Sequence, residues 1–159
     1  MLTACSLGMA DTPVLAIVDP YTLAIDLAEA CAARGVRAVA VQSAPEVPPL
    51  FADASQLAAL GTVIRHAGDL GEAAAALARE GAGWVMAASE SGVELTDRLS
   101  ERLRVPSNGS RLSEARRNKF LMAALVGRHG QRTAAQCCSP DLDVLLTWID
   151  RHAGYPVIV

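Results

Sequence analysis

Lys119 is the only lysine in a chain whose lysines and arginines total 14. It stands in the stretch SEARRNKFLM, residues 113–122. A compact ammonium acts as a point charge and suits a phosphate in a tight pocket, where a forked guanidinium fits less neatly. The pattern over 111–127 predicts one helix that ends near Gly127. At about 100° per residue, Leu112, Ala115, Lys119, Ala123 and Val126 share one stripe of it, which sets the ammonium among apolar neighbours. The plainer alternative is a lysine whose stem covers the core while its head reaches water. Two other groups could carry chemistry. VDPYTLAID puts Asp19, Tyr21 and Thr22 just past a first apolar run, and ASESGVE puts Ser89, Glu90 and Ser91 just past a fourth. Open α/β sheets collect ligands beyond the carboxyl ends of their strands. Asp19 reads more simply as a helix cap, and Ser89 or Ser91 likewise, with Glu90 and Glu94 favouring the positive helix end. Tyr21 and Thr22 are open to both readings, ligand contact or a helix start.

These residues need elements to position them. Four continuous apolar runs begin at Val14, Ala38, Thr62 and Trp84: VLAIV, AVAV, TVI and WVMAA. Runs without alternation fit strands covered on both faces, as in a parallel sheet. Spacings of about 22–24 residues suit a strand, a crossover helix and two short loops. TLAIDLAEACAARG reads as a helix stopped by Gly35, DLGEAAAALAREG as one capped by Asp69 and stopped by Gly81, and SGVELTDRLSERL as a third. The prolines of SAPEVPPLFADASQLAALG predict an irregular loop and a short helix. The charged stretch at 97–104 reads as a solvated helix face. Past the turn RVPSNGS, at 104–110, the texture changes. QRTAAQCC could form a strand, SPDLDVLLTWIDRHAG reads as a helix capped by Ser139 and stopped by Gly154, and YPVIV reads as a β-branched strand. The fold class expected is α/β, an open and mostly parallel sheet with flanking helices.

Composition narrows the function classes. Of 159 residues, 52% are hydrophobic, which calls for a buried core. Only 4% are aromatic, so that core rests on Ala, Val, Leu and Ile. A net charge of −3, with no basic run, argues against a nucleic-acid surface. No apolar stretch reaches the ~18 residues that span a bilayer, so no membrane partner is expected. The leader MLTACSLGMADTP lacks the basic start and apolar middle of a signal peptide and reads as a loose tail. Cys5, Cys31, Cys137 and Cys138 make no C-x-x-C pair, and reduced cytosolic thiols are expected. The histidines, 66, 129 and 152, have no metal-ligand spacing. The first strand-to-helix turn contains no glycine, so no dinucleotide fingerprint is present. Trp84 and Trp148 read as packing residues rather than platforms for a base.

SNGSRLSEARRNKFLMAALVGRHGQRTAAQ, then a helix, then GYPVIV, resembles the entry into ATP-grasp enzymes. VDPYTLAIDLAEACAARGVRAVAVQS with ASESGVELTDRLSERL resembles the N-terminal, Rossmann-like pre-ATP-grasp domain of their carboxylate–amine ligase branch, which includes amino-acid ligases. The likeness covers roughly residues 13–159 and rests on the order and spacing of its parts. It implies a tail over 1–12, a pre-ATP-grasp domain over 13–106, a turn and connecting helix over 107–130, and the start of an ATP-grasp domain over 131–159. Asn118-Lys119 matches the family's Asn/Asp-Lys pair, so Lys119 is expected on ATP phosphates. The region of Glu90 faces the ligand cleft in the family, which makes Glu90 a candidate for a substrate ammonium, beside Tyr21 and Thr22. ATP and Mg²⁺ are the cofactors implied for the complete enzyme, with neither expected to bind tightly to this chain alone. The substrates implied are a small carboxylate and an amine, such as an amino acid, joined through an acyl phosphate, in a cytoplasmic enzyme for which a homodimer is one arrangement left open. The residues matching the second ATP lysine, the glycine-rich phosphate loop and the magnesium ligands are not among the 159, so negligible turnover is expected of this chain by itself. Two other readings compete: a stand-alone α/β binding module derived from the family, and a flavodoxin-like regulator that would need Asp19 as phospho-acceptor.

Overall fold

The computed structural model describes residues 12–52, 55–153 and 157–158. Most of the tail expected over 1–12 lies outside the described residues, as do Cys5, Gly154, Tyr155, Pro156 and Val159. The chain divides between Ser110 and Arg111 into two compact units.

In the first unit the apolar runs are strands: β1 Val14–Val18, β2 Arg37–Gln42, β3 Thr62–Arg65 and β4 Ala82–Ala87. All pair in parallel, in the order β3-β2-β1-β4. Continuous apolar sequence is what such a sheet requires, because helices cover both of its faces. On one face, α3 (Leu70–Arg79) and α4 (Val93–Leu103) bury Leu77, Leu95 and Leu99 against Ala16, Val18, Val39, Val41 and Val85. On the other, α1 (Ala24–Ala32) and α2 (Ser55–Ala58) enclose Ile17, Tyr21, Ala40, Leu57 and Leu60. A three-residue 3₁₀ turn, Pro49–Phe51, precedes α2, as its prolines dictate. Asp69 caps α3, its carboxylate accepting from the Gly71 amide at 2.6 Å and the Glu72 amide at 3.2 Å.

The expected solvated face at 97–104 holds for Arg98, Glu101, Arg102 and Arg104, which are exposed, but not for Asp97. Asp97, Leu99 and Ser100 are buried, since α4 lies on the sheet. Glu101 accepts from the Ser110 amide at 2.8 Å and its hydroxyl at 2.7 Å, which folds the 104–110 turn back onto α4. Those hydrogen bonds hold the Glu101 carboxyl below the usual range. Trp84 is also corrected: it is 49% exposed and outside both core clusters. Trp148 stacks on His152, ring centroids 5.6 Å apart.

In the second unit the single helix expected over 111–127 is two. α5 (Ser113–Arg117) ends where Asn118 turns extended, and α6 (Lys119–Arg128) starts afresh. The Asn118 side chain accepts from the Leu121 amide at 3.1 Å, so it caps α6 rather than continuing α5. The proposed stripe of apolar residues around Lys119 therefore does not exist as one helix face. QRTAAQCC is irregular, and Val157 and Ile158 are not in a strand. β propensity forms a strand only beside a partner, and the one described sheet belongs to the first unit. α7 is Leu142–Trp148, continued by a π-type turn over Ile149–Ala153. Its cap is Asp141, which accepts from the Asp143 amide, while Ser139 accepts from the Asp141 amide one step earlier.

Candidate ligand site at the sheet switch point

β1 is the strand from which the winding reverses: β2 and β3 follow on one side and β4 on the other. At such a point the loops diverge and leave a crevice at the carboxyl ends. The register brings those ends level, with Val18 beside Val41 on one side and Ala87 on the other. The amide of Asp19 bonds to the Val41 carbonyl at 2.8 Å, and that of Ala88 to the Val18 carbonyl at 2.9 Å. Three loops therefore leave the sheet side by side.

Asp19 joins them. It is completely buried and left-handed, with φ 53°, a conformation aspartate tolerates better than bulkier residues. One carboxylate oxygen accepts from the Tyr21 hydroxyl at 2.9 Å and the Ser43 amide at 2.8 Å. The other accepts from the Ser43 and Ser91 hydroxyls, each at 2.6 Å. Ser91 in turn lies 2.7 Å from the Ser89 hydroxyl. Four donors fill the acceptor positions of one carboxylate. Such satisfaction is what lets a carboxylate sit inside a protein. Burial, then the hydrogen bond to Asp19 and its negative charge, push the Tyr21 phenol well above its ordinary range, with Ser43 acting the other way. The Tyr21 ring stacks on Phe51, centroids 5.5 Å apart, within the core on that face of the sheet.

Asp19 is not a helix cap. α1 begins at Ala24 after Leu23, without a side-chain cap from Asp19 or Thr22. Ser89 and Ser91 do not cap α4 either: Gly92 precedes that helix, and the serine hydroxyls turn towards each other and Asp19. A buried, fully bonded carboxylate also removes the phospho-acceptor reading. Thr22 and Glu90 are exposed, Glu90 opening a 3₁₀ turn over Glu90–Gly92. The crevice thus gathers Asp19, Tyr21, Ser89 and Ser91, with Thr22 and Glu90 next to them along the chain. Ser43 went unnoticed in the sequence, although it directly follows a strand that ends at the same edge. Lys119 is exposed and lies in the second unit, as the first residue of α6.

Among the described residues no group of three or more His, Cys, Asp or Glu side chains could hold a metal ion. With its lone pairs occupied, Asp19 does not fit as a Mg²⁺ ligand. No helix of the structure is long and apolar enough to cross a membrane.

The parallel sheet with helices on both faces defines the first unit as an open α/β fold. No family model matches the chain. It is 32% identical over 149 residues to dapdiamide A synthase of Enterobacter agglomerans, an ATP-grasp ligase, covering 92% of the chain and 35% of that protein. The crystal structure of L-amino acid ligase from Bacillus licheniformis superposes with a TM-score of 0.58 at 18% identity, over 79% of the chain and 32% of that protein. In sequence and in fold the chain is similar to the N-terminal portion of an ATP-grasp carboxylate–amine ligase. It spans about a third of the length of these two proteins.

Proposed function

We propose that this chain is the N-terminal part of a cytoplasmic, ATP-dependent ligase that joins a small carboxylate to an amine, an amino acid among them, through an acyl phosphate. The likeness across 92% of the chain to an ATP-grasp ligase carries the reading. Lys119 contacts the nucleotide phosphates. Its place supports this role better than the apolar stripe would: it opens α6, where amide groups and the helix dipole already favour an anion. In the first unit Glu90 and Thr22 meet the substrate, and Tyr21 acts through Asp19, to which its hydroxyl is committed. ATP would supply the phosphoryl group and Mg²⁺ the counter-charge, both held mainly by residues not among these 159.

The 159 residues do not turn over by themselves. α6 and α7 bury none of their residues, and Phe120, Val126, Leu142, Val144 and Leu146 are exposed. Helices with bare apolar side chains need a covering surface, and the nucleotide-binding fold supplies it, with a second copy of the protein in a homodimer as the other contributor. The test is an ADP-release assay on the purified chain with Mg²⁺–ATP and pooled amino acids. It should read no amino-acid-dependent ADP; sustained, amino-acid-dependent release would overturn this part of the proposal.

A further inference from the structure

We propose that Asn108 is a site of spontaneous covalent modification, at which the side-chain amide reacts with water to give isoaspartate and aspartate. Asparagine is among the thermolabile residues, and its setting decides whether it reacts. Asn108 and Asn118 are the asparagines of the chain. Asn118 is followed by Lys119, and its side-chain oxygen is committed to the Leu121 amide as the cap of α6. Asn108 is exposed, lies in the turn after α4 and is followed by Gly109. Gly109 has φ 74°, a left-handed conformation that glycine adopts without strain. With no side chain on residue 109, nothing there blocks its nitrogen from the Asn108 amide carbon. The Gly109 N–H donates to the Ser107 hydroxyl at 2.9 Å, and Ser107 is itself exposed, so water reaches this bond. Ser107 and Asn108 also line a cavity of about 360 Å³ with Thr96, Asp97 and Ser100, which leaves space beside the asparagine.

The reaction balances without an oxidant or reductant. Base removes the Gly109 amide proton, and the nitrogen attacks Asn108 Cγ. The new N–Cγ bond closes a cyclic imide. The Cγ–Nδ2 bond breaks, and the departing nitrogen takes up a proton to leave as ammonia. Water then opens the ring. Breaking the new N–Cγ bond gives aspartate; breaking the original peptide bond gives isoaspartate, whose main chain runs through Cβ and Cγ. Either product adds a negative charge where carboxylates already stand. A Cβ on Gly109 would lie 3.4 Å from Glu101 Oε1, so residue 109 sits against the carboxylate that holds the Ser110 amide and hydroxyl. Buried Asp97 shares the cavity with Asn108. The added charge repels both, as charge-changing modifications do beside like charges. Isoaspartate also lengthens the main chain at the same place. Both effects draw Ser110 away from Glu101 and loosen the turn just before the second unit begins at Arg111. None of this rests on the ligase reading.

The test ages the purified 159-residue chain in buffer at physiological temperature. Its peptides are mapped by mass spectrometry, and isoaspartate is detected by enzymatic methylation. Isoaspartate should build up at residue 108 and stay at background at Asn118. Its rate should rise about tenfold per pH unit through the neutral range, as the deprotonated fraction of a weak acid does well below its pKa. Asn108→Gln, whose longer side chain disfavours ring closure, should stay unmodified over the same period. Asn108→Asp, which carries the charge without the longer main chain, should lower hydrogen-exchange protection of the Ser110 amide about fivefold, the loss of one hydrogen bond. Absence of isoaspartate at 108 under alkaline conditions, equal accumulation at 118, or a rate indifferent to pH overturns the proposal. Unchanged Ser110 protection in both the aged chain and Asn108→Asp overturns the loosening assigned to it.

Discussion

Asp19 concentrates the chemistry of the first unit in one side chain. Its carboxylate is the acceptor for Tyr21, for Ser43 twice and for Ser91. An Asp19→Asn exchange keeps the shape but turns two acceptor positions into donors that face donors. Unfolding in urea should show a loss of about 2–4 kcal/mol, the cost of unsatisfied buried groups. The same bond network governs Tyr21. Its phenol is raised in the folded chain, so folding holds that proton more tightly than the unfolded state does. The resulting stability is fully present below the unfolded value of about 10 and falls as pH climbs past it. Urea midpoints between pH 8 and about 11 should therefore decline for the parent chain and decline less for Tyr21→Phe. Sequence alone put Asp19 at the right sheet edge but gave it the wrong task. A helix cap is a local act, visible in neighbouring residues, whereas Ser43 and Ser91 reach Asp19 from 24 and 72 residues away.

At the scale of elements, periodicity was the reliable guide where burial is two-sided. VLAIV, AVAV, TVI and WVMAA became strands because both faces of the sheet are covered, and Asp69 caps α3 through a local bond to the Gly71 and Glu72 amides. Pattern misled where one residue's local bond outweighed it. Asn118 sits inside a helical pattern, yet its side chain competes for a backbone amide and restarts the helix. Asn118→Ala removes that cap, and α6 should lose about 1 kcal/mol, read as reduced amide protection over Lys119–Leu125 in hydrogen exchange. Val157 and Ile158, β-branched yet not in a strand, show the opposite limit: strand propensity says nothing about whether a partner is at hand. Gly92 marks the close approach of β1 to the turn before α4. A Cβ there would lie 2.9 Å from Val18 Cγ1 and 3.1 Å from its carbonyl oxygen, one of them backbone. Gly92→Ala should lower stability by about 1–3 kcal/mol, the cost of forced overpacking, and calorimetry would register it as a fall in Tm.

The whole molecule is two units with unequal cores. The first carries two buried clusters, one on each face of its sheet, while the helices α6 and α7 of the second leave their apolar residues bare. The broad class was legible because a parallel sheet leaves a strong imprint on sequence; the bareness of α6 and α7 was not, because an apolar residue in a helical pattern does not say whether anything packs on it. The central claim is that this chain works as the opening third of an ATP-grasp ligase, with Lys119 on the phosphates. It is tested most directly by joining residues 1–159 to the remainder of dapdiamide A synthase, beyond its matched region, and following ADP release with amino-acid substrates. The account predicts amino-acid-dependent release from the fused protein, and a drop of about 10²-fold or more for Lys119→Ala, the scale for losing one charge contact to a transferring group. Equal turnover by the fusion and its Lys119→Ala variant, both folded by circular dichroism, would contradict it.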